Sequence, residues 1–261
     1  LKKNVRQYKL PLIYVNQVGA HTDIIFDGGS LVYAANGELK HESAYFEEEI
    51  SYCTFESGKI AVEEVHGKDV SVKTDRLRMA LVTGMRDYFS KMGFRKAVLG
   101  CSGGIDSALV LALASEALGK ENVHAVLMPS GYSSGHSITD SEKLVANIGC
   151  SHEILRITPV YDAFLKTLES DFAGLPFNVA EENIQARVRG TLLMAMSNKF
   201  GNILLNTTNK SEMSVGYGTL YGDLCGGLAV LADVYKTEVY ELAKYINDCY
   251  AGGPTPNLSP Q

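Results

Sequence analysis

The stretch Gly100-Cys101-Ser102-Gly103-Gly104-Ile105-Asp106-Ser107 decides the fold of this chain. A short apolar run at 97–100 precedes it and a longer run at 105–118, interpreted as an amphipathic helix, follows it, so the loop joins a buried strand to a helix. Paired glycines let backbone N–H groups approach an anion closely, and the N-terminus of the helix adds a positive partial charge. The sequence therefore predicts a phosphate-binding turn at the carboxyl end of a strand.

The residue types in this loop narrow its chemistry. It lacks the lysine of G-x-x-x-x-G-K-[ST], which disfavours the loop typical of enzymes that transfer a γ-phosphoryl group. Asp106 is suited to bind Mg²⁺ beside a phosphate, because magnesium prefers carboxylate and phosphate oxygens. The alternative is a structural glycine-rich turn in which Asp106 only stabilises the helix start. The serine, the aspartate and the strand–helix context together favour the phosphate site.

Helix and strand patterns alternate around this loop from residue 75 onward. Helices are predicted at 75–93, 105–118, 137–148, 160–168, 179–200 and 236–246, and strands at 97–100, 123–128, 153–157 and 202–206. This alternation predicts an α/β fold with a Rossmann-like parallel sheet, right-handed crossovers and helices on both faces. In such sheets the binding site lies beyond the carboxyl ends of the strands.

The N-terminal part of the chain has a different pattern. Short β-branched and aromatic runs predict strands at 12–15, 24–26 and 30–33, preceded by the solvated end of a helix. Residues 51–74 are charged and aperiodic, as expected of a connector. We therefore expect a strand-rich incomplete domain at 1–50, a connector at 51–74, a main domain at 75–250 and a truncated loop at 251–261.

Composition excludes several classes of protein. Lys and Arg total 24 and Asp and Glu total 30 in 261 residues, so the formal net charge is −6, which is unfavourable for binding nucleic acid. No apolar run approaches the length of about 18 residues expected of a membrane-spanning helix. The five cysteines are scattered without a C-x-x-C pair, which predicts reduced thiols in a cytoplasmic protein.

Polar stretches follow the later strands, where the site is expected. The stretch Leu204–Glu212 runs from a strand into Thr207, a candidate contact for phosphate or adenine, and Glu212, a candidate magnesium ligand. The glycine- and tyrosine-rich stretch at 215–223 can hold a ring. Lys236 lies at a helix start, where a cation gains nothing from the helix dipole, so phosphate binding is the better explanation for it.

A long predicted helix carries a further pair of candidates. Asn183 and Arg187 are four residues apart and share one helix face, and an arginine there can bind a phosphate through two N–H groups. The alternative is that this helix face binds no ligand, is exposed to solvent and carries Glu–Arg ion pairs. His136 follows the second strand of the main domain and is a minor candidate for the nucleotide site. The pair Met194 and Met196 is better explained by core or dimer packing than by a cofactor site.

The loop at 100–107 resembles that of the PP-loop ATP pyrophosphatases, which adenylate an oxygen atom and release pyrophosphate. The loop alone leaves GMP synthetase, asparagine synthetase, argininosuccinate synthetase and tRNA-modifying enzymes open. Three further stretches, Glu-Asn-Ile-Gln-Ala-Arg at 182–187, Asn-Lys-Ser-Glu at 209–212 and Gly-Tyr-Gly-Thr-Leu-Tyr-Gly-Asp at 216–223, narrow the choice. Together with the loop they resemble the NAD synthetases, from about Asp75 to Asn247.

Residues 10–38 resemble the closing part of a nitrilase-type glutaminase domain, an α/β/β/α fold, through the stretches at 12–19 and 26–30. Glutamine-dependent NAD synthetases carry such a domain at the N-terminus, and its Glu, Lys and Cys catalytic residues lie upstream of these stretches. The first cysteine here is Cys53. The resemblance implies a fragment that needs free ammonia, and that stops before the mobile C-terminal loop of the family.

The resemblance implies a reaction and its partners. The nicotinate carboxylate of deamido-NAD attacks the α-phosphorus of ATP to form an adenylate, and ammonia, derived from glutamine in the intact enzyme, then displaces AMP. Mg²⁺ and a homodimer are implied, without a nucleic-acid or membrane partner. Two alternatives stay open: another PP-loop amidotransferase, such as a GMP synthetase, and a non-catalytic nucleotide-binding module. The nitrilase-like N-terminal part weakens the first of these.

The same resemblance assigns roles to individual residues. Asp106 and Lys236 are assigned to catalysis, and Asp106 and Glu212 to magnesium. The residues assigned to ATP are Gly100, Cys101, Ser102, Gly103, Gly104, Ile105, Asp106, Ser107, Thr207 and Lys236. The residues assigned to deamido-NAD are Asn183, Arg187, Glu212, Tyr217, Gly218, Thr219, Leu220 and Asp223.

Overall fold

The structure, a computed structural model, describes residues 1–21, 23–62, 72–129 and 135–250, with the backbone alone at 135–138 and 250. The predicted loop at 251–261 and the side chain of His136 therefore lie outside the described residues. The chain divides into two units, Leu1–Tyr88 and Phe89–Gln261.

Short antiparallel strands make up most of the first unit. In chain order its elements are α1 (Lys2–Tyr8), β1 (Leu12–Tyr14), β2 (Val18–His21), β3 (Ile24–Asp27), β4 (Leu31–Tyr33), β5 (Leu39–Glu42), β6 (Cys53–Glu56), β7 (Lys59–Val62) and the start of α2 (Lys73–Met92). One sheet has the order β1-β4-β5, while β2 pairs with β3 and β6 with β7. Strands β1, β3 and β4 confirm the three predicted strands.

The hairpin of β6 and β7 lies in the stretch where the charged sequence predicted a connector. Its turn contains Ser57 and Gly58, both at positive φ. Phe55 and Ile60 are paired across the hairpin, but only Ile60 is buried, while Phe55 is 60% exposed. Each strand has four residues, too few to produce a recognisable alternation of apolar and polar positions.

The second unit confirms the predicted parallel α/β fold. Its elements are β8 (Ala97–Cys101), α3 (Ile105–Leu118), a 3₁₀ turn (Lys120–Asn122), β9 (Val123–Leu127), α4 (Gly135–Ile148), β10 (Ser151–Ile154), α5 (Thr158–Thr167), α6 (Glu169–Phe172), α7 (Val179–Phe200), β11 (Ile203–Asn206), α8 (Lys210–Val215), β12 (Leu228–Ala229) and α9 (Lys236–Tyr250). All five strands are parallel, in the order β10-β9-β8-β11-β12. The short elements α6, α8 and β12 were not predicted. Each has too few residues for a periodic pattern of apolar positions to be recognised in the sequence.

The direction in which strands are added reverses between β8 and β11. From β8 the chain passes through α3 to β9 and through α4 to β10, and then returns along α7 to β11 on the other side of β8. Right-handed crossovers in opposite directions place α3 and α4 on one face of the sheet and α7 on the other. A crevice opens beyond the carboxyl ends of the two strands at such a reversal, which makes it the expected ligand site.

Helix α3 is the centre of this unit rather than an amphipathic surface helix. Every residue from Ser107 to Ala114 is buried, so the prediction of an amphipathic helix was wrong. Helix α3 packs against β8, β9, α4 and α9, which leaves little of its surface to solvent. Replacing Leu109 or Leu113, both fully buried, by alanine would cost about 2–5 kcal/mol. The residues of its first turn are therefore fixed to a rigid core.

Among the described residues, no helix is both long enough and apolar enough to cross a membrane. The five cysteines carry free thiols. Burial raises the pKa of the Cys150 thiol to about 11, against an ordinary value of 9.0. Burial also raises the pKa of Cys101 and of Cys225.

We expect the free energy of unfolding to fall as the pH rises from about 9 to about 11. In this window the Cys150 thiol ionises in the unfolded chain but keeps its proton in the folded chain, so unfolding releases a proton. Urea unfolding at intervals of pH would measure the slope. Cys150→Ala should make it shallower, whereas Cys53→Ala, at an exposed thiol, should leave it unchanged. Equal slopes in both variants would contradict the prediction.

Candidate active site

The loop between β8 and α3 is held by its own hydroxyl groups. Ser107 Oγ accepts a hydrogen bond from Ser102 N at 3.2 Å and donates one to Gly104 O at 3.0 Å, while Ser102 Oγ accepts from Gly104 N at 3.2 Å. Gly103 has a φ of +83°, which side chains rarely permit. Among the described residues, no side chain caps the N-terminus of α3. The first backbone N–H groups of this helix are therefore able to donate hydrogen bonds to a bound anion.

The carboxylate of Asp106 is held by two side chains from distant parts of the chain. Asn209 Nδ2 donates to Asp106 Oδ1 at 2.9 Å, and Lys236 Nζ donates to Asp106 Oδ2. The Asp106 side chain is only 17% exposed. The backbone N–H of Lys236 also donates to Ser211 Oγ at 3.0 Å, which fixes the start of α9 against α8. Both oxygens of the predicted metal ligand are thus already hydrogen-bonded to protein.

The end of β11 organises the loop that follows α8. Asn206, the last residue of the strand, is buried and donates through Nδ2 to Asp223 O at 2.7 Å and Cys225 O at 3.0 Å. Its Oδ1 accepts a hydrogen bond from Thr208 N at 2.8 Å. One asparagine therefore joins the strand end to the loop carrying Asp223.

Helix α7 holds the loop at 217–223 through three contacts. Thr219 Oγ1 donates to Asn183 Oδ1 at 2.7 Å, and Arg187 Nε donates to Leu220 O at 3.2 Å. At Gly190 the helix approaches the loop so closely that a Cβ would lie 2.9 Å from the Gly222 carbonyl oxygen. Four residues predicted to bind deamido-NAD are thus brought together, and their polar groups contact one another.

Two adjoining cavities lie at the carboxyl ends of β8 and β11. The first, of about 370 Å³, is lined by Gly100, Cys101, Ser102, Met128, Arg189, Leu193, Leu204, Leu205, Asn206, Thr207, Asp223 and Cys225. The second, of about 180 Å³, is lined by Ser102, Asp106, Ser107, Thr207, Thr208, Glu212, Tyr217, Gly218 and Asp223. A cavity of about 420 Å³ lies at the opposite, amino ends of the strands. None of the predicted site residues lines this third cavity, so we take the first two cavities as the candidate site.

Most of the predicted site residues line these two cavities. Asn183 and Arg187 do not line them but hold the loop that does, and Lys236 reaches the site through its ion pair with Asp106. Cys101 is buried, and this burial raises the pKa of its thiol, which therefore stays neutral.

Three polar residues of the site were not predicted as site residues from the sequence. Asn206 and Asn209 form its buried hydrogen bonds, and Arg189 lines the larger of the two cavities. Asparagine at the end of an apolar strand is a usable signal, because a buried amide needs several partners.

Three carboxylates, of Asp106, Glu212 and Asp223, line the smaller cavity. Within the described ranges, however, no three His, Cys, Asp or Glu side chains are placed to hold a metal ion. Glu212 Oε2 also accepts a hydrogen bond from Asn209 N at 3.1 Å. A divalent ion at this site would therefore need further oxygen ligands from a bound phosphate and water.

Comparison with known proteins agrees with this geometry. The profile of the NAD synthase family matches residues 77–260. This chain belongs to the NAD synthase family. A glutamine-dependent NAD(+) synthetase from Synechocystis is 48% identical over 249 residues, which make up 95% of this chain and 44% of that protein. The family predicted from the motifs is thereby confirmed.

Solved structures of NAD synthetases share the fold. The glutamine-dependent NAD+ synthetase from Acinetobacter baumannii, in complex with ADP, is 44% identical with a TM-score of 0.91, over 98% of this chain and 48% of that one. The NH3-dependent NAD synthetase from Campylobacter jejuni is 36% identical with a TM-score of 0.62, over 67% of this chain and 74% of that one. This chain spans about half the length of the glutamine-dependent relatives it matches.

We expect Gly190→Ala to weaken the attachment of the loop in this NAD synthase domain. The added Cβ would lie 2.9 Å from Gly222 O and 3.0 Å from Tyr221 O, and these backbone atoms cannot move without moving the loop. Overpacking of this kind costs about 1–3 kcal/mol, measurable by urea unfolding. Thr191→Ala, at the exposed neighbouring position of α7, is the control. A Gly190→Ala protein as stable as the control would show that the contact is loose.

Proposed function

We propose that this chain carries out the amide-forming reaction of an NAD synthetase, in which ATP and ammonia convert deamido-NAD to NAD. The observation that supports it best is the second cavity, where the glycine-rich loop meets Asp106, Thr207 and Glu212 at the strand reversal of a NAD synthase domain. The Acinetobacter baumannii relative was solved with ADP, which supports an adenine nucleotide as the ligand.

In this proposal the loop at 100–107 binds the triphosphate of ATP. The backbone N–H groups of the loop and of the α3 N-terminus supply donors without adding a cation. Thr207 lines both cavities and is placed to donate to phosphate or adenine. Lys236 forms an ion pair with Asp106, and its ammonium group can exchange the carboxylate for phosphate.

Mg²⁺ fits the donor set of the smaller cavity. Asp106 and Glu212 offer carboxylate oxygens, and the triphosphate would complete the coordination, as is typical of magnesium. When bound, the ion would neutralise charge on the phosphates as the α-phosphorus is attacked. Asn209 keeps Asp106 Oδ1 in place, which leaves Oδ2 as the atom that exchanges the Lys236 ammonium for another cation.

Deamido-NAD is proposed to lie against the loop held by α7. Tyr217 is exposed enough to stack on a ring, and Gly218 and Asp223 line the same cavity. Thr219 and Leu220 belong to the same loop, and the Leu220 side chain is exposed. Asn183 and Arg187 fix the loop, and the guanidinium of Arg187 is exposed enough to contact a phosphate also. Glu212 would border both substrates.

The proposed reaction needs no covalent bond to the protein. A carboxylate oxygen of the nicotinate attacks the α-phosphorus, and pyrophosphate leaves. The nitrogen of ammonia then attacks the acyl carbon, AMP leaves with the bridging oxygen, and the nitrogen loses a proton. The protein contributes alignment of the two substrates and charge stabilisation by Lys236. We also propose that the enzyme is a cytoplasmic homodimer.

Asp106→Asn should slow this reaction strongly. The neutral amide binds magnesium poorly and loses the ion pair with Lys236, so we expect a loss of rate of about 10²–10³-fold. The assay supplies labelled ammonium, ATP, Mg²⁺ and deamido-NAD, and measures NAD, AMP and pyrophosphate in equal amounts. Asp162→Asn, at an exposed aspartate of α5, is the control. Unchanged turnover in Asp106→Asn would exclude the proposed role.

The same assay separates the alternatives. ATP binding without any product from the wild-type chain would favour a nucleotide-binding module.

A further inference from the structure

We propose that Asn209 is a positioning residue that holds the two magnesium-binding carboxylates, of Asp106 and Glu212, in one arrangement. The proposal deepens the proposed function and rests on it, since it concerns the same site. Asn209 is fully buried. It lies between the end of β11 and α8, opposite the first turn of α3.

Asn209 uses three polar atoms on these two residues. Its Nδ2 donates to Asp106 Oδ1 at 2.9 Å, and its Oδ1 accepts from Glu212 N at 3.0 Å. Its backbone N–H donates to Glu212 Oε2 at 3.1 Å, which completes a capping box at the start of α8. The side chain thus contacts one carboxylate directly and fixes the backbone that carries the other.

Helix capping alone does not account for an asparagine at this position. Serine and threonine cap a helix as well as or nearly as well as asparagine, because one acceptor oxygen is enough. Neither has a second polar atom that could reach Asp106 from the same position. The amide supplies a donor and an acceptor at once, and only the donor contacts the carboxylate of Asp106. The role in positioning therefore rests on Nδ2.

The bond to Nδ2 matters because Asp106 must change its other partner. Lys236 occupies Asp106 Oδ2, and in the proposed function this oxygen would have to exchange the ammonium group for a divalent cation. A carboxylate held only by the leaving lysine could rotate about its side-chain bonds during the exchange. With Oδ1 fixed by a buried amide, Oδ2 keeps its direction. Loss of such a partner typically lowers metal affinity by about 10–100-fold.

The experiment measures how much Mg²⁺ strengthens ATP binding, by calorimetry on the 261-residue chain without deamido-NAD, so that no NAD forms. The quantity is the ratio of the ATP dissociation constants without and with Mg²⁺. Asn209→Ser keeps the cap and removes the amide donor, and Asn209→Ala removes both. We expect both variants to lower the ratio by about 10–100-fold, with the ATP affinity in the absence of Mg²⁺ unchanged within about twofold.

The thermal midpoint separates this role from capping. Asn209→Ser keeps the cap and should therefore melt above Asn209→Ala, while both lose the magnesium effect. If the cavity left by serine unfolds the chain, Asn209→Thr keeps the cap and fills more of the space. Asn178→Ser is the matched control, because Asn178 caps α7 in the same kind of box. It should retain the wild-type ratio.

Two outcomes would overturn the proposal, and they differ. If the wild-type ratio is lost in Asp106→Asn but kept in Asn209→Ser, Asn209 is only a cap, and the proposed function stands. If Mg²⁺ does not strengthen ATP binding to the wild-type chain, the magnesium site of the proposed function fails and this inference fails with it.

Discussion

The parallel pairing of β8 with β11 is the constraint on which the site depends. The two strands are in register at Ala97 with Ile203 and at Val98 with Leu204, although more than a hundred residues separate them in the chain. Because both strands run the same way, their following loops leave the sheet at one edge. The pairing also places the strand reversal between them. The glycine-rich loop, the buried asparagines and the loop held by α7 all meet there as a consequence.

The sequence was informative where the pattern is local and strong. Strands β8, β9 and β11 are mostly apolar, and the long helices α3 and α7 extend over 14 and 22 residues. In the loop at 100–107, glycines, serines and an aspartate occupy most positions, and these residue types indicate a phosphate site. The sequence was less informative for elements that are short and for the helix that is buried at the centre of the unit. Helix α8 has six residues, β12 has two, and α3 is buried on so many sides that its apolar residues form no single stripe.

The hydrogen bonds of the site could not be predicted from local sequence patterns. Asn209 and Asp106 are 103 positions apart, and their contact exists only because β8 and β11 are neighbours. Lys236 was recognised as a phosphate-binding candidate, but its ion pair with Asp106 could not be read from a helix start. The ion pair is also relevant to the distribution of charge, because the chain as a whole has a formal net charge of −6. The Lys236 ammonium group beside the carboxylate and Arg189 in the larger cavity place positive charge at a site that also carries three carboxylates.

The attachment of the 217–223 loop to α7 has a consequence for how this protein could change. Two of its anchors are main-chain atoms, the carbonyl of Leu220 and the close approach of Gly222 to Gly190. The side chains of Tyr217, Leu220 and Tyr221 are mostly exposed and take no part in these two contacts. Mutation can therefore alter the chemistry of this surface without detaching the loop. If the loop binds the substrate as proposed, substitutions at these three positions would alter ligand preference and leave the two main-chain anchors in place.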